Sequence, residues 1–116
     1  MKARDLNGAD VYYRGLSQLG LIRLNTLLSQ TNVSAETARA EFTSIMGSTI
    51  DSSRKAIEYD KANYINWVNL GSIYESIVPL GVTGAYDEAT KAYKSASELA
   101  PKNPLPFFTL ARLEVA

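Results

Sequence analysis

Trp67-Val68-Asn69-Leu70-Gly71-Ser72-Ile73-Tyr74 is followed, after a turn, by Ala89-Thr90-Lys91-Ala92-Tyr93-Lys94-Ser95-Ala96 and then Pro101. Trp67, Leu70, Gly71 and Tyr74 stand at i, i+3, i+4 and i+7, one face of a helix. Ala89, Ala92, Tyr93, Ala96 and Leu99 make a second stripe at the same spacing. Alanines there let two helices approach closely, and Trp67, Tyr74, Tyr86 and Tyr93 are expected to fill the core between them. Asp87 opens the second helix as an N-cap or first-turn acid. Pro101 and Pro104 close one helix and open the next, with Asn103 as N-cap ahead of Pro104.

The unit recurs. Residues 55–71 laid on 95–111 pair Ala56 with Ala96, Glu58 with Glu98, Asn63 with Asn103 and Leu70 with Leu110. Similar residues fall in step: Tyr59 with Leu99, Ile65 with Leu105, Trp67 with Phe107, Gly71 with Ala111. Each copy reads as a helix end, an asparagine, a short turn, and an aromatic opening the next helix.

Trp67-x2-Leu70-Gly71-x2-Tyr74, then Ala89-x3-Tyr93, Ala96 and Pro101, resembles the tetratricopeptide repeat signature, with Tyr93 for the usual Phe. The resemblance covers residues 56–116 well and the first half loosely. It implies an all-α fold of antiparallel helix hairpins stacked as a right-handed solenoid with a concave groove. Three departures stand out. The family period is about 34 residues, whereas Trp67 to Phe107 is a step of 40. The surplus falls between Tyr74 and Ala89, where Pro79 and two glycines predict an enlarged turn over 77–85. The last repeat is half a repeat, with Glu114 where an aromatic is expected. The first half does not fit the repeat length.

That first half predicts two long helices. Ala9–Ser29 carries apolar residues on more than one face, so it is buried on two sides or lacks a neighbour. After the turn at Thr31-Asn32-Val33-Ser34, with Ser34 as N-cap, a second helix runs over Ala35–Tyr59. Its stripe is Ala38, Phe42, Ile45, Met46, Ile50, Ala56 and Ile57, and Gly47 is a mild cost within it. The organisation expected is one domain over 1–116 with about five helices. An elongated hairpin, or degenerate first repeat, takes 1–62. A repeat takes 63–103, and the first helix of an incomplete one takes 104–116. Both ends look uncapped, so the chain is expected to be cut from a longer protein or to pair as a homodimer.

Composition narrows the function classes. Twelve basic residues balance twelve acidic ones, with no run of like charge, which argues against nucleic acid as a partner. There is no cysteine and no histidine, so the commonest metal ligands and the commonest general base are missing. No phosphate loop, nucleophile elbow or metal spacing occurs. Glu75, Asp87, Glu88, Glu98 and Glu114 are not paired at a spacing suited to acid–base work. The expectation is a non-catalytic protein with no cofactor and no metal. Met1-Lys2-Ala3-Arg4-Asp5 lacks the apolar stretch of a signal peptide, and no segment is apolar enough to span a bilayer. A soluble segment is expected, cytoplasmic by default, with an extracytoplasmic domain of a membrane protein as the alternative.

From the family resemblance, the groove would be lined by Ile65, Val68, Asn69, Ser72, Glu75, Leu105, Phe108, Thr109 and Arg112, suited to a protein or peptide ligand. The competing expectation is that these residues pack on a neighbouring repeat. Some family members clamp a peptide carboxylate with Lys, Arg and Asn. Here only Asn69 and Arg112 fit that role, which argues against the clamp. Ile77, Val78, Leu80 and Val82 are expected to fold over the helix pair and finish the core, rather than form a partner-contacting loop. The tyrosines are expected in the core, not as a stacking platform. Asn32-Val33-Ser34 matches a glycosylation acceptor, a tripeptide common by chance. The Gly81-Val82-x-Gly84-Ala85-Tyr86 turn resembles soluble tails of bacterial envelope proteins, including polysaccharide-ligase-like ones. That makes an assembly or regulatory domain of a larger bacterial protein the second expectation, and self-assembly through the end helices the third.

Overall fold

The computed structural model describes residues 8–115, with side chains described as far as Leu113. The N-terminal Met1-Lys2-Ala3-Arg4-Asp5 and the Glu114 side chain lie outside the described residues. Five α-helices follow one another: α1 (Ala9–Ser29), α2 (Ala35–Tyr59), α3 (Tyr64–Ile77), α4 (Ala85–Leu99) and α5 (Leu105–Val115). The fold is all-α and built from antiparallel hairpins, α1 with α2 and α3 with α4. Among the described residues no helix is long and apolar enough to cross a membrane.

Helix starts follow capping chemistry. The Ser34 hydroxyl accepts the Thr37 N–H at 3.1 Å, which satisfies one of the orphan donors of α2. Asn63 and Asn103 each accept the N–H two residues on, at 3.1 Å from Ile65 and 2.9 Å from Leu105. The bonds before them also match. Asp60 N–H reaches Ala56 C=O at 3.1 Å and Ala100 N–H reaches Ala96 C=O at 3.0 Å. Asn63 N–H reaches Asp60 C=O at 3.3 Å and Asn103 N–H reaches Ala100 C=O at 3.0 Å. The 40-residue spacing is therefore a spacing of equivalent turns. The Asn103 amide also donates to the Tyr64 hydroxyl at 2.7 Å, tying one turn to the next.

The connection between α3 and α4 spans residues 78–84, between the two ends of the expected turn. Helix α3 runs through Ile77, and Val78–Leu80 continue as one 3-10 turn. Gly81 and Gly84 then take left-handed φ values of 78° and 83°, which favour glycine. Ile77 is fully buried, and Val78 and Val82 pack on the core. Leu80 stays exposed, so the turn closes the core with three of its four apolar residues.

The main core lies between α3 and α4. Ala85, Ala89, Ala92 and Tyr93 of α4 are buried with Leu70, Tyr74 and Ile77 of α3, and Ile57 and Leu113 complete the cluster. Two further residues expected in the core are, like Leu80, exposed instead: Tyr86 and Leu99. Tyr86 follows buried Ala85 by one residue, about 100° round the helix and off its stripe. Leu99 is the last residue of α4, where the stripe ends. Trp67 is half-buried, and its indole N–H donates to the Lys61 carbonyl at 2.9 Å, fixing the turn before α3.

Helices meet most closely at glycines. A Cβ on Gly71 would fall inside van der Waals contact with the ring of Tyr93, and one on Gly20 would collide with Thr49. Apart from its chain neighbours and the backbone of α2 itself, nothing lies within 4 Å of a Cβ placed on Gly47. Gly71→Ala should therefore cost about 1–3 kcal/mol in urea unfolding, because the Tyr93 ring is fully enclosed. Gly47→Ala, in the middle of α2, should add about 0.5–1 kcal/mol. A Gly71→Ala protein as stable as the parent would contradict this packing.

Candidate functional site

Helices α3 and α5 present equivalent faces. Ile65 and Leu105 occupy matching positions 40 residues apart, as do Val68 and Phe108, Asn69 and Thr109, and Ser72 and Arg112. The four apolar members are open to solvent in whole or part: Ile65 is 43%, Leu105 46% and Phe108 67% exposed, and Val68 is half-buried. Covering such side chains is worth roughly 25 cal/mol per Å² of apolar surface removed from water.

The polar members are committed internally. Asn69 is buried and its amide donates to the Ser17 hydroxyl at 2.8 Å. Thr109 is buried and donates to the Pro106 carbonyl at 2.6 Å. Ser72 donates to the Asn69 carbonyl at 3.1 Å. Glu75 joins three helices. It accepts the Tyr93 hydroxyl of α4 at 2.6 Å and, from Arg112 of α5, the Nη2 and Nε protons at 2.7 and 3.0 Å. The structure thus brings Ile65, Leu105 and Phe108 to the surface, packs Val68 against the core, and turns Asn69 and Thr109 inward. Arg112 and Glu75 neutralise each other at the edge, and with Asn69 closed off no polar pair remains for a carboxylate clamp.

Titration follows from this geometry. The Glu75 carboxyl lies below its ordinary value, chiefly because Arg112 bonds its ionised form, against an opposing effect of burial. The Arg112 guanidinium is held charged by the same bond. Burial, and then the bond to Glu75, push the Tyr93 phenol up.

Beside this face lies a polar seam that periodicity alone did not reveal. Asp10, Arg14 and Ser17 of α1 meet Asn66 and Asn69 of α3 and its N-cap Asn63. The fully buried Asn66 amide donates to Asp10 at 3.0 Å and to the Asp60 and Ala56 carbonyls at 3.1 and 3.3 Å, while Arg14 donates to its Oδ1. The signal available was three asparagines at three-residue spacing, two of them inside a helix where asparagine is a poor former. The other side of α1 leaves Val11, Tyr12, Leu16, Leu19 and Ile22 exposed. Tyr13 and Tyr59 stack on each other at 5.4 Å, so each has one face already covered.

No protein-family model, curated protein or solved structure matches the chain.

Glu75 supplies a pH test with a definite sign. Its folded value is depressed, so the stabilisation from Arg112 is fully present above the ordinary value of 4.5 and is lost as pH falls through the folded value. Glu75→Gln removes that titration. Its stability should fall less steeply than the parent's between about pH 5 and about pH 3, read from urea midpoints at stepped pH. Equal slopes would contradict the pairing.

Proposed function

We propose that the chain is a non-catalytic interaction scaffold of tetratricopeptide-repeat type, gripping a peptide or neighbouring domain along α3 and α5. The observation that carries this reading is the repeated apolar position that stays open on both helices, Ile65 on α3 and Leu105 on α5, with Phe108 of α5 beside it and half-buried Val68 at the matching place on α3. Two rows at equivalent positions offer regularly spaced apolar contacts, as a helix laid in a groove or an extended peptide requires.

The exposed stripe of α1 favours a second reading. Val11, Tyr12, Leu16, Leu19 and Ile22 suit docking on the rest of a larger, bacterial, envelope-associated protein, or on another copy of the chain. In both readings the work is binding, and the two differ in which face is used.

Peptides selected from a displayed library for binding the whole chain separate them. Phe108→Asp should weaken the selected peptides at least about tenfold, since a central aromatic contact is commonly worth 1–2 kcal/mol or more. The melting temperature should not change, because Phe108 lies outside the core cluster. Peptides insensitive to Phe108→Asp but lost in Leu19→Asp would move the site to α1.

A further inference from the structure

Leu28, at the end of α1, and Leu80, in the turn after α3, are each about half exposed. They face a common space. With Ala38 and Phe42 of α2 and Val82 of the turn they wall a cleft of about 400 Å³ between the tips of the two hairpins. Leu80 and Val82 come from the residues that enlarge the turn, so that segment builds one wall of the cleft besides sealing the core.

The lining carries one charge. Arg39, one residue after Ala38, lies on it, and Gln30 adds a neutral polar group. Among the described residues Arg39 enters none of the ion pairs, which join Arg14, Lys55, Lys91 and Arg112 to carboxylates. No acidic residue lines the cleft. An open apolar cleft beside one uncommitted guanidinium is complementary to an apolar body carrying one anion. The volume sits near the lower end of small-molecule sites, about 300–1,000 Å³, which leaves room for an acyl chain of about eight carbons. Arginine binds carboxylate in a planar, two-point geometry that it offers to no cation.

We propose that the cleft between the hairpin tips binds a medium-chain carboxylate amphiphile, the acyl chain between Leu28, Phe42 and Leu80 and the carboxylate on Arg39. The site is separate from the α3–α5 face and does not depend on the scaffold reading. Covering the two leucines supplies the drive, and Arg39 supplies the preference for an anion.

The test is titration of the 116-residue chain with octanoate, octanol and octylammonium, each below its micelle concentration, followed by ¹H–¹⁵N spectra. Octanoate should shift the amides of Leu28, Arg39 and Leu80 saturably, and bind about tenfold more tightly than octylammonium. Arg39→Glu should reverse that order while leaving the rest of the spectrum in place. Ala38→Trp, which fills the cleft from α2, should abolish binding of all three. The proposal is overturned by the absence of saturable shifts with octanoate, by equal affinity for octanoate and octylammonium, or by an unchanged order in Arg39→Glu. Shifts at the same amides that grow with protein concentration alone would place a second copy there, and overturn it as well.

Discussion

The ring of Tyr93 occupies the space that a side chain at position 71 would need. That exchange, a missing Cβ on α3 for a whole aromatic ring on α4, sets the distance between the two helices. The alanines at 89, 92 and 96 follow from it, because a larger residue on that stripe would hold the helices apart. The phenol hydroxyl cannot be buried unpaired without cost, and Glu75 accepts it at 2.6 Å. Glu75 then needs a cation, and Arg112 reaches it from α5. One enclosed tyrosine thus fixes the α3–α4 spacing and, through Glu75, the seat of α5. The face that carries Ile65, Val68, Leu105 and Phe108 exists because these helices are held in that order.

The α1–α2 hairpin is joined to the rest by different chemistry. Arg54 of α2 donates to the Tyr74 hydroxyl at 2.8 Å. Along α1, Asp10, Arg14 and Ser17 meet the asparagines of α3 through hydrogen bonds that demand one register. A buried seam of this kind stabilises less than an apolar one of equal area. It penalises every alternative alignment, because a slipped asparagine would lose its partners. No buried side-chain nitrogen or oxygen is left unpaired among the described residues. Docking by a register-specific seam also leaves the opposite, apolar side of α1 free for contact.

Elements whose signal is local were legible in the sequence. The bounds of α1 and α2, the caps at Ser34 and Asn103, and the equivalence of the turns at Asn63 and Asn103 depend on residues within a few positions of one another. Periodicity assigned Leu70, Gly71, Tyr74 and Tyr93 to buried faces for the same reason. It could not say where a stripe stops meeting its neighbour, hence the exposed Tyr86 and Leu99. Nor does spacing tell a groove-facing polar residue from one turned inward. Asn69 and Thr109 look like surface residues until Ser17 and Pro106 are seen beside them. The bond between Glu75 and Arg112 spans 37 positions and belongs to no local pattern. The Leu28–Phe42–Leu80 cleft likewise joins three separate segments.

Native-state hydrogen exchange across the whole chain tests the keystone role of Tyr93 most directly. With α3 and α4 locked through Gly71 and Tyr93, the slowest amides should cluster in those two helices near Gly71 and Ala92. They should open in one step with the second half of α2, and α5 should exchange faster. Slowest exchange within α1 and the first half of α2, opening independently of α3 and α4, would contradict the account and place the stabilising centre in the first hairpin.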